Sequence, residues 1–228
     1  MKNFKVVSLV ILFFISSNLF AQSDYKTMTK DLQEATTPSA ALQILKDGNK
    51  RFVENSMIKR DLHSQISSTQ NGQFPYAIVL SCIDSRSPTE TIFDQGIGDI
   101  FNARVAGNVV DEDILGSIEY ACKVAGSKLV LVMGHSHCGA VKGACDGVEM
   151  GNITGLLAKI KVVVDNTPGK DKSSKNSSFV KEVEKANVLN SIVLLREKSP
   201  ILKEMEDKGE ILIKGAMYDI ETGIVTFY

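Results

Sequence analysis

Short apolar runs of strand length recur along the whole chain. Tyr76–Leu80, Ile100–Val105 and Lys128–Met133 have the length and composition of buried strands. Near the C-terminus, Glu210–Met217 and Ile224–Phe227 indicate two further strands separated by a short turn. Because these runs are spread over the chain, the pattern predicts a sheet that is assembled from distant segments.

Between these runs, apolar residues recur every three or four positions, as on helices that bury one face. The predicted helices span residues 41–54, 111–125, 153–164, 179–197 and 201–208. A strand, a helix and a further buried strand in succession indicate a βαβ crossover. The predicted fold class is therefore α/β, with a central and mainly parallel β-sheet flanked by helices.

Residues 1–21 have the pattern of a secretory signal peptide. Lys2 and Lys5 precede an apolar run over residues 6–15, and Ala21 stands at the expected cleavage site. The run is shorter than the ~20 residues that a spanning helix needs, so a retained membrane anchor is the less favoured alternative. We expect an exported, periplasmic protein with no stable membrane insertion after cleavage, and a flexible N-terminal arm over residues 22–37.

The rest of the chain, residues 38–228, is expected to form one domain. A chain of 228 residues that is 43% hydrophobic can bury a substantial core. The polar stretch 165–178 is rich in breaker residues and predicts a surface loop within that domain. The chain has 26 basic and 27 acidic residues, so it lacks the excess of positive charge that is typical of nucleic-acid binding. We therefore expect a small-molecule substrate and no nucleic acid.

The segment that follows the first predicted strand carries a thiol, a carboxylate and a guanidinium at two-residue steps. These are Cys82, Asp84 and Arg86. In an extended chain, alternate side chains point the same way, so all three could face one cleft beyond the strand end. This spacing predicts a functional site.

A second such segment, Gly134–Gly139, follows the third predicted strand and contains His135 and Cys138. Residues three apart share one face of a helical turn. A helix that begins near Gly139 would also favour the thiolate form of Cys138. Because ligands bind at the carboxyl ends of strands in α/β sheets, we expect the two segments to converge.

Two thiolates and an imidazole, from Cys82, His135 and Cys138, form a donor set that suits tetrahedral zinc. Three protein ligands and one exchangeable position are typical of a catalytic site, whereas four firm ligands are typical of a structural one. Asp84 could be the fourth ligand, or it could hydrogen-bond a metal-bound water. A bidentate pair with Arg86 would pull the carboxylate away from the metal.

These two segments, with Arg104–Asn108 between them, resemble the signature blocks of the β-class carbonic anhydrases. The resemblance extends from the helix 41–54 to the turn 218–223, and so covers nearly all of the expected domain. It implies a β-carbonic anhydrase-like fold with an N-terminal helical arm. It also implies zinc-dependent, reversible hydration of carbon dioxide to bicarbonate and a proton, through a zinc-bound hydroxide.

The resemblance further implies a role for each site residue. The implied zinc ligands are Cys82, His135, Cys138 and, in a closed site, Asp84. Asp84 and Arg86 are the implied catalytic pair, which gates and orients the exchangeable ligand. Gln95 and Gly139 are assigned to the binding of carbon dioxide or bicarbonate. The family also implies a homodimer, or a tetramer of such dimers, whose pocket is lined partly by the partner chain.

Two other functions are compatible with the same residues. Hydrolysis of carbonyl sulfide or carbon disulfide would use the same ligands with a different pocket and access tunnel. A non-catalytic zinc-binding module would have Asp84 closing the site permanently. Arg86 has no purpose in such a closed site, so its presence favours the enzyme.

The two other cysteines, Cys122 and Cys145, have no place in the predicted metal site. We expect them to be buried free thiols. A disulfide is the alternative, because an exported protein meets an oxidising compartment.

Overall fold

The structure is a computed structural model and describes residues 26–228; the expected signal peptide, residues 1–21, lies outside the described residues. The sheet has five strands, which are β1 (Ala77–Ser81), β2 (Ile100–Arg104), β3 (Leu129–His135), β4 (Leu212–Tyr218) and β5 (Val225–Phe227). Their spatial order is β2-β1-β3-β4-β5, and all neighbours are parallel except β4 and β5. The predicted α/β fold with a mainly parallel sheet is confirmed.

Helices cover both faces of this sheet. They are α1 (Lys30–Ala35), α2 (Pro38–Val53), α3 (Leu62–Thr69), α4 (Thr89–Ile92), α5 (Glu112–Glu119), α6 (Gly139–Cys145), α7 (Gly151–Asn166), α8 (Ser177–Lys198) and α9 (Pro200–Asp207). In β1, Ile78 and Leu80 pack against the cluster formed with α5, α8 and α9. Their neighbours Ala77 and Val79 face α2 and α4 on the other side of the sheet. The two-residue alternation of the strand thus separates two hydrophobic cores.

The N-terminal arm is not loose throughout. Residues 30–35 form α1, and Gln33 in this helix is buried. Its amide donates to the carbonyls of Pro75 and Ala125, at 2.7 and 2.8 Å. The expectation of flexibility over residues 22–37 therefore needs correction for α1, because two hydrogen bonds hold this helix to the domain.

Other differences from the predicted elements are local. β3 runs to His135, two residues beyond the predicted end. After α5 the chain continues as a π-helical turn, Tyr120–Val124. The helices α3 and α4 were not predicted from the pattern. Among residues 26–228, no helix is both long and apolar enough to cross a bilayer.

Candidate metal centre

Cys82 lies directly after β1, at the carboxyl end of the sheet. Its side chain is buried, with 5% exposure. The backbone N–H of Gly107 donates to its Sγ at 3.3 Å. The crevice beyond the carboxyl ends of parallel strands is the usual ligand-binding position in this fold class. The thiol is therefore placed where a site is expected.

His135 and Cys138 reach the same position from β3. His135 is the last residue of this strand, and Cys138 is the N-cap of α6. Parallel pairing of Ser81 with Met133 aligns the ends of β1 and β3. As a result, one ligand atom each of Cys82, His135 and Cys138 lie within 4.8 Å of one another, and all three residues are buried.

The ring of His135 is oriented for metal binding. Its Nδ1 lies 3.0 Å from the Ser136 carbonyl oxygen. A carbonyl oxygen can only accept, so Nδ1 carries the proton and Nε2 presents its lone pair. This Nε2 is buried and has no hydrogen-bond partner among the described residues. A buried ring nitrogen with a fixed tautomer, beside two thiols, fits a metal ligand.

The two thiols are coupled to each other. A hydrogen bond from Cys138 lowers the pKa of Cys82, and the same contact raises the pKa of Cys138. Cys82 is therefore the thiol that ionises first. A thiolate is the form that binds a soft metal ion, so the pair is suited to bind one.

Asp84 and Arg86 form the bidentate pair that the sequence suggested. Arg86 donates from Nε to Oδ1 at 2.9 Å and from Nη2 to Oδ2 at 2.7 Å. These contacts hold the pKa of Asp84 well below its usual range. The same Oδ2 lies 3.8 Å from Nε2 of His135. The carboxylate thus lies beside His135 while both of its oxygens are bound by the guanidinium.

Arg104, at the end of β2, holds the backbone of this segment. Its Nε donates to the Cys82 carbonyl at 3.0 Å, and its Nη2 donates to the Asp84 carbonyl at 2.6 Å. Both carbonyls follow a strand end, where they have no sheet partner. Arg104 therefore fixes the path of the chain between the thiol and the carboxylate.

Gln95 and Gly139 occupy different surroundings. Gly139 is exposed at the start of α6, next to Cys138, and a side chain there would meet no atom within 4 Å. Gln95 accepts a hydrogen bond from the Tyr76 hydroxyl at 2.7 Å and donates to the Phe93 carbonyl at 2.5 Å. No hydrogen bond within the described residues joins Gln95 to the metal-ligand cluster.

The remaining cysteines are free thiols. Cys122 is buried in the π-helical turn, and Cys145 at the end of α6 is half-buried. His137, next to Cys138, is about half exposed, and its Nε2 lies 3.1 Å from Glu221. None of the three belongs to the cluster of metal-ligating groups found among the described residues.

Two buried residues of α8 contact the site and were not predicted. Glu184 accepts a hydrogen bond from the Cys138 backbone N–H at 2.8 Å, and Asn187 donates to the Gly107 carbonyl at 2.7 Å. The signal available in the sequence was a helical apolar pattern interrupted by polar residues on its buried side. Such an interruption indicates a special environment, but it does not identify the partner.

Comparison with known proteins identifies the family. The family model described as carbonic anhydrase matches residues 77–225. "Carbonic anhydrase 2" of Mycobacterium tuberculosis is 37% identical, over 82% of this chain and 91% of that protein. The carbonic anhydrase of Mycolicibacterium smegmatis is 36% identical, over 83% and 93%.

A solved structure of a tetrameric β-carbonic anhydrase from Sordaria macrospora superposes with a TM-score of 0.63 at 26% identity, covering 71% of this chain and 84% of that one. The sequence relatives and the solved structure point to the same family as the cluster of Cys82, His135 and Cys138 at the carboxyl ends of the strands. The chain is a carbonic anhydrase that belongs to the β-class family.

Proposed function

We propose that this enzyme hydrates carbon dioxide reversibly with a zinc ion held by Cys82, His135 and Cys138. The observation that carries the proposal is the approach of these three donors to within 4.8 Å in a buried setting. Two thiolates and one imidazole favour zinc over harder ions. A zinc ion held by these residues would supply Lewis acidity, which lowers the pKa of water and so favours a nucleophile for carbon dioxide at moderate pH.

Asp84 and Arg86 are proposed to gate and orient the reaction. With both carboxylate oxygens bound by Arg86, Asp84 is held as a hydrogen-bond acceptor at the border of the cluster. An acceptor in this position would accept a hydrogen bond from the O–H of the nucleophile. The oxygen lone pair would then be free to attack the carbon of carbon dioxide. If this pair were released, Asp84, whose Oδ2 lies 3.8 Å from His135 Nε2, would be available as a fourth ligand that closes the site.

We also propose that the active unit is at least a dimer and that Gln95 acts at the boundary between subunits. Support comes from the position of Gln95, which hydrogen-bonds to Tyr76 and to the Phe93 backbone and not to the cluster of its own chain. The neighbouring Ile97 is 38% exposed. An amide and an apolar side chain at one surface suit a contact with a second copy. Gly139 leaves open space for substrate beside Cys138.

The test of function is a stopped-flow assay of carbon dioxide hydration on purified protein, with zinc quantified per chain. We expect one zinc per chain, loss of activity on chelation and recovery on addition of zinc. Carbonyl sulfide and carbon disulfide serve as comparison substrates and should be hydrolysed far more slowly. Full hydration activity in metal-free protein would contradict the proposed metal role.

We further propose export, with residues 1–21 as a cleaved signal, from the basic and apolar pattern of that segment. Mass spectrometry of the envelope fraction of the native host should find a chain that begins near Gln22 or Ser23. Intact Met1 on the protein in the cytosol would contradict it.

A further inference from the structure

Helix α8 carries three buried polar residues on one face. Glu184, Asn187 and Ser191 are 4%, 2% and 1% exposed. Their spacing of three and four residues places them along one side of the helix. Burial of polar groups is costly unless they are hydrogen-bonded. The partners of these three residues therefore indicate what this face does.

The first contact is made to the segment that carries Cys138. Glu184 Oε1 accepts a hydrogen bond from the Cys138 N–H at 2.8 Å, in a buried position. A carboxylate acceptor makes this bond stronger than a bond between neutral groups. It fixes the backbone from which the Cys138 thiol projects.

The other two contacts are made to the segment that binds Cys82. Asn187 donates to the Gly107 carbonyl at 2.7 Å, and Ser191 donates to the Asn108 carbonyl at 3.0 Å. The N–H of the same Gly107 donates to the Cys82 Sγ at 3.3 Å. Gly107 has a φ of 67°, a left-handed conformation that glycine adopts without the steric cost of a Cβ. α8 thus holds both segments that fix the two thiols.

We propose that the polar face of α8, formed by Glu184, Asn187 and Ser191, is a positioning element that sets how firmly the metal is retained. It acts on Cys138 directly and on Cys82 through Gly107. All three hydrogen bonds go to the segments that hold the thiols, and apolar residues at these positions would leave those backbone groups without these partners. The inference rests on the proposed metal site.

The first measurement is the rate of zinc transfer from the loaded enzyme to an excess of a chromogenic chelator. Asn187→Ala and Glu184→Ala should each raise this rate about 10-fold or more, as expected for residues that orient metal ligands. Glu184→Gln keeps an acceptor oxygen and should restore slow release. Asn190→Ala changes the same residue type on the same helix, outside the polar face, and should behave like the unmodified protein.

The second measurement is the absorption spectrum of the cobalt-substituted enzyme. The thiolate-to-cobalt charge-transfer band reports the environment of the sulfur atoms. A general loss of stability would leave the position of this band unchanged. We expect a shifted band in Asn187→Ala, where the Gly107 carbonyl loses its donor and the Gly107 N–H is held less firmly against the Cys82 Sγ. The band should be unshifted in Asn190→Ala.

The outcomes separate this inference from the proposed function. An unmodified protein that takes up no zinc overturns both. If Asn187→Ala and Glu184→Ala bind the normal amount of zinc and release it as slowly as the unmodified protein, the positioning role alone is overturned. If those two variants do not fold, zinc release is measured in Ser191→Ala. Faster release than in the unmodified protein supports the positioning role, and an equal rate overturns it.

Discussion

Asp94 is a carboxylate with no solvent exposure whose charge is balanced by two arginines. Arg51 donates to it at 2.5 Å, Arg60 contacts its other oxygen, and the Ile58 N–H donates at 3.2 Å. Asp94 also has a φ of 48°, which is unusual for a residue with a side chain. This residue directly precedes Gln95, so the cluster determines where that amide lies.

Replacing Asp94 by alanine should destabilise the protein by about 3–5 kcal/mol, because two arginines lose the charge that balances them in a buried setting. Asp165→Ala is a suitable control, since Asp165 forms an exposed pair with Lys161 one helical turn away. It should change stability by less than about 0.5 kcal/mol. Denaturant titration measures both, and equal effects would contradict the assigned role of burial.

Removal of a proposed metal ligand should differ from removal of the proposed gate. Alanine at Cys82, His135 or Cys138 should abolish zinc binding and activity together. Asp84→Ala should keep zinc while kcat/KM falls about 100-fold. Arg86→Ala should also keep zinc and lose activity, because Asp84 is then free to close the site. Zinc analysis beside stopped-flow kinetics distinguishes these cases; equal zinc loss in Asp84→Ala would make it a primary ligand.

Burial raises the pKa of the Cys122 thiol to about 12. The unfolded thiol ionises near 8.5, so between these values unfolding releases a proton and stability falls as pH rises. Cys122→Ala removes this contribution. The free energy of unfolding of Cys122→Ala should be lower than that of the unmodified protein by a constant amount at pH 7–8. Above pH 9 this difference should shrink by up to about 1.4 kcal/mol per pH unit. A constant deficit to pH 11 would contradict the burial effect.

At the scale of elements, α2 joins the end of α4 to the turn that precedes β5. Asn49 donates to the carbonyls of Ile92 and Gly223 and accepts a hydrogen bond from the Val225 N–H. One residue before it, Gly48 allows α2 to approach the chain after α4 very closely. A Cβ at this position would lie 1.8 Å from the Phe93 carbonyl oxygen.

Gly48→Ala should therefore displace α2 and destabilise the protein by about 1–3 kcal/mol. Gly155→Ala, in the exposed part of α7 where a Cβ meets nothing within 4 Å, should instead stabilise it by about 0.5–1 kcal/mol. Thermal unfolding of the two variants should give shifts of opposite sign. If both substitutions lowered the thermal stability, the space available for a Cβ would not explain the difference between the two glycines.

The strands and long helices could be predicted because their apolar spacing reflects burial on the two sheet faces. α3 could not, because its sequence from Leu62 to Thr69 is mostly polar and only Gln65 is buried. α4 is a single turn after Pro88, too short to show a period. β3 extends beyond its apolar run because Gly134 and His135 pair with β4.

The cluster of Cys82, His135 and Cys138 could be predicted because the three residues lie at or just after the carboxyl ends of two buried strands. The contribution of α8 could not be predicted, because Glu184 and Asn187 are far from Cys138 and Gly107 in sequence. Only the packing of α8 behind β3 brings them together. Hydrogen bonds between distant segments leave no periodic signal.

At the scale of the whole molecule, β2 is an edge strand with no strand partner on its outer side within the described chain. Such an edge has free backbone groups and is normally covered or paired. The exposed side chains of Ile83 and Ile97 lie in the segments on either side of α4. This edge is where the proposed second subunit would be expected to pack.

Ile97→Asp should shift the protein from at least twice the 24.8 kDa chain mass towards the monomer, because a carboxylate would be buried in the contact. Hydration activity should fall with it. The control Ile201→Asp changes a similarly exposed residue on α9 and should leave assembly intact. Sedimentation equilibrium gives the answer, and a dimeric Ile97→Asp protein would exclude this surface.

The donors of the metal centre come from two strand ends that are distant in sequence, Cys82 after β1 and His135 at the end of β3. They meet only after β1 and β3 have paired. A metal ion that needs donors from both strand ends would therefore bind only after this pairing has formed, and its binding energy would be absent from a transition state that precedes the pairing. In kinetic terms, zinc should slow unfolding strongly and leave the refolding rate almost unchanged, so that metal loading would set the lifetime of the folded enzyme and not the speed at which it forms.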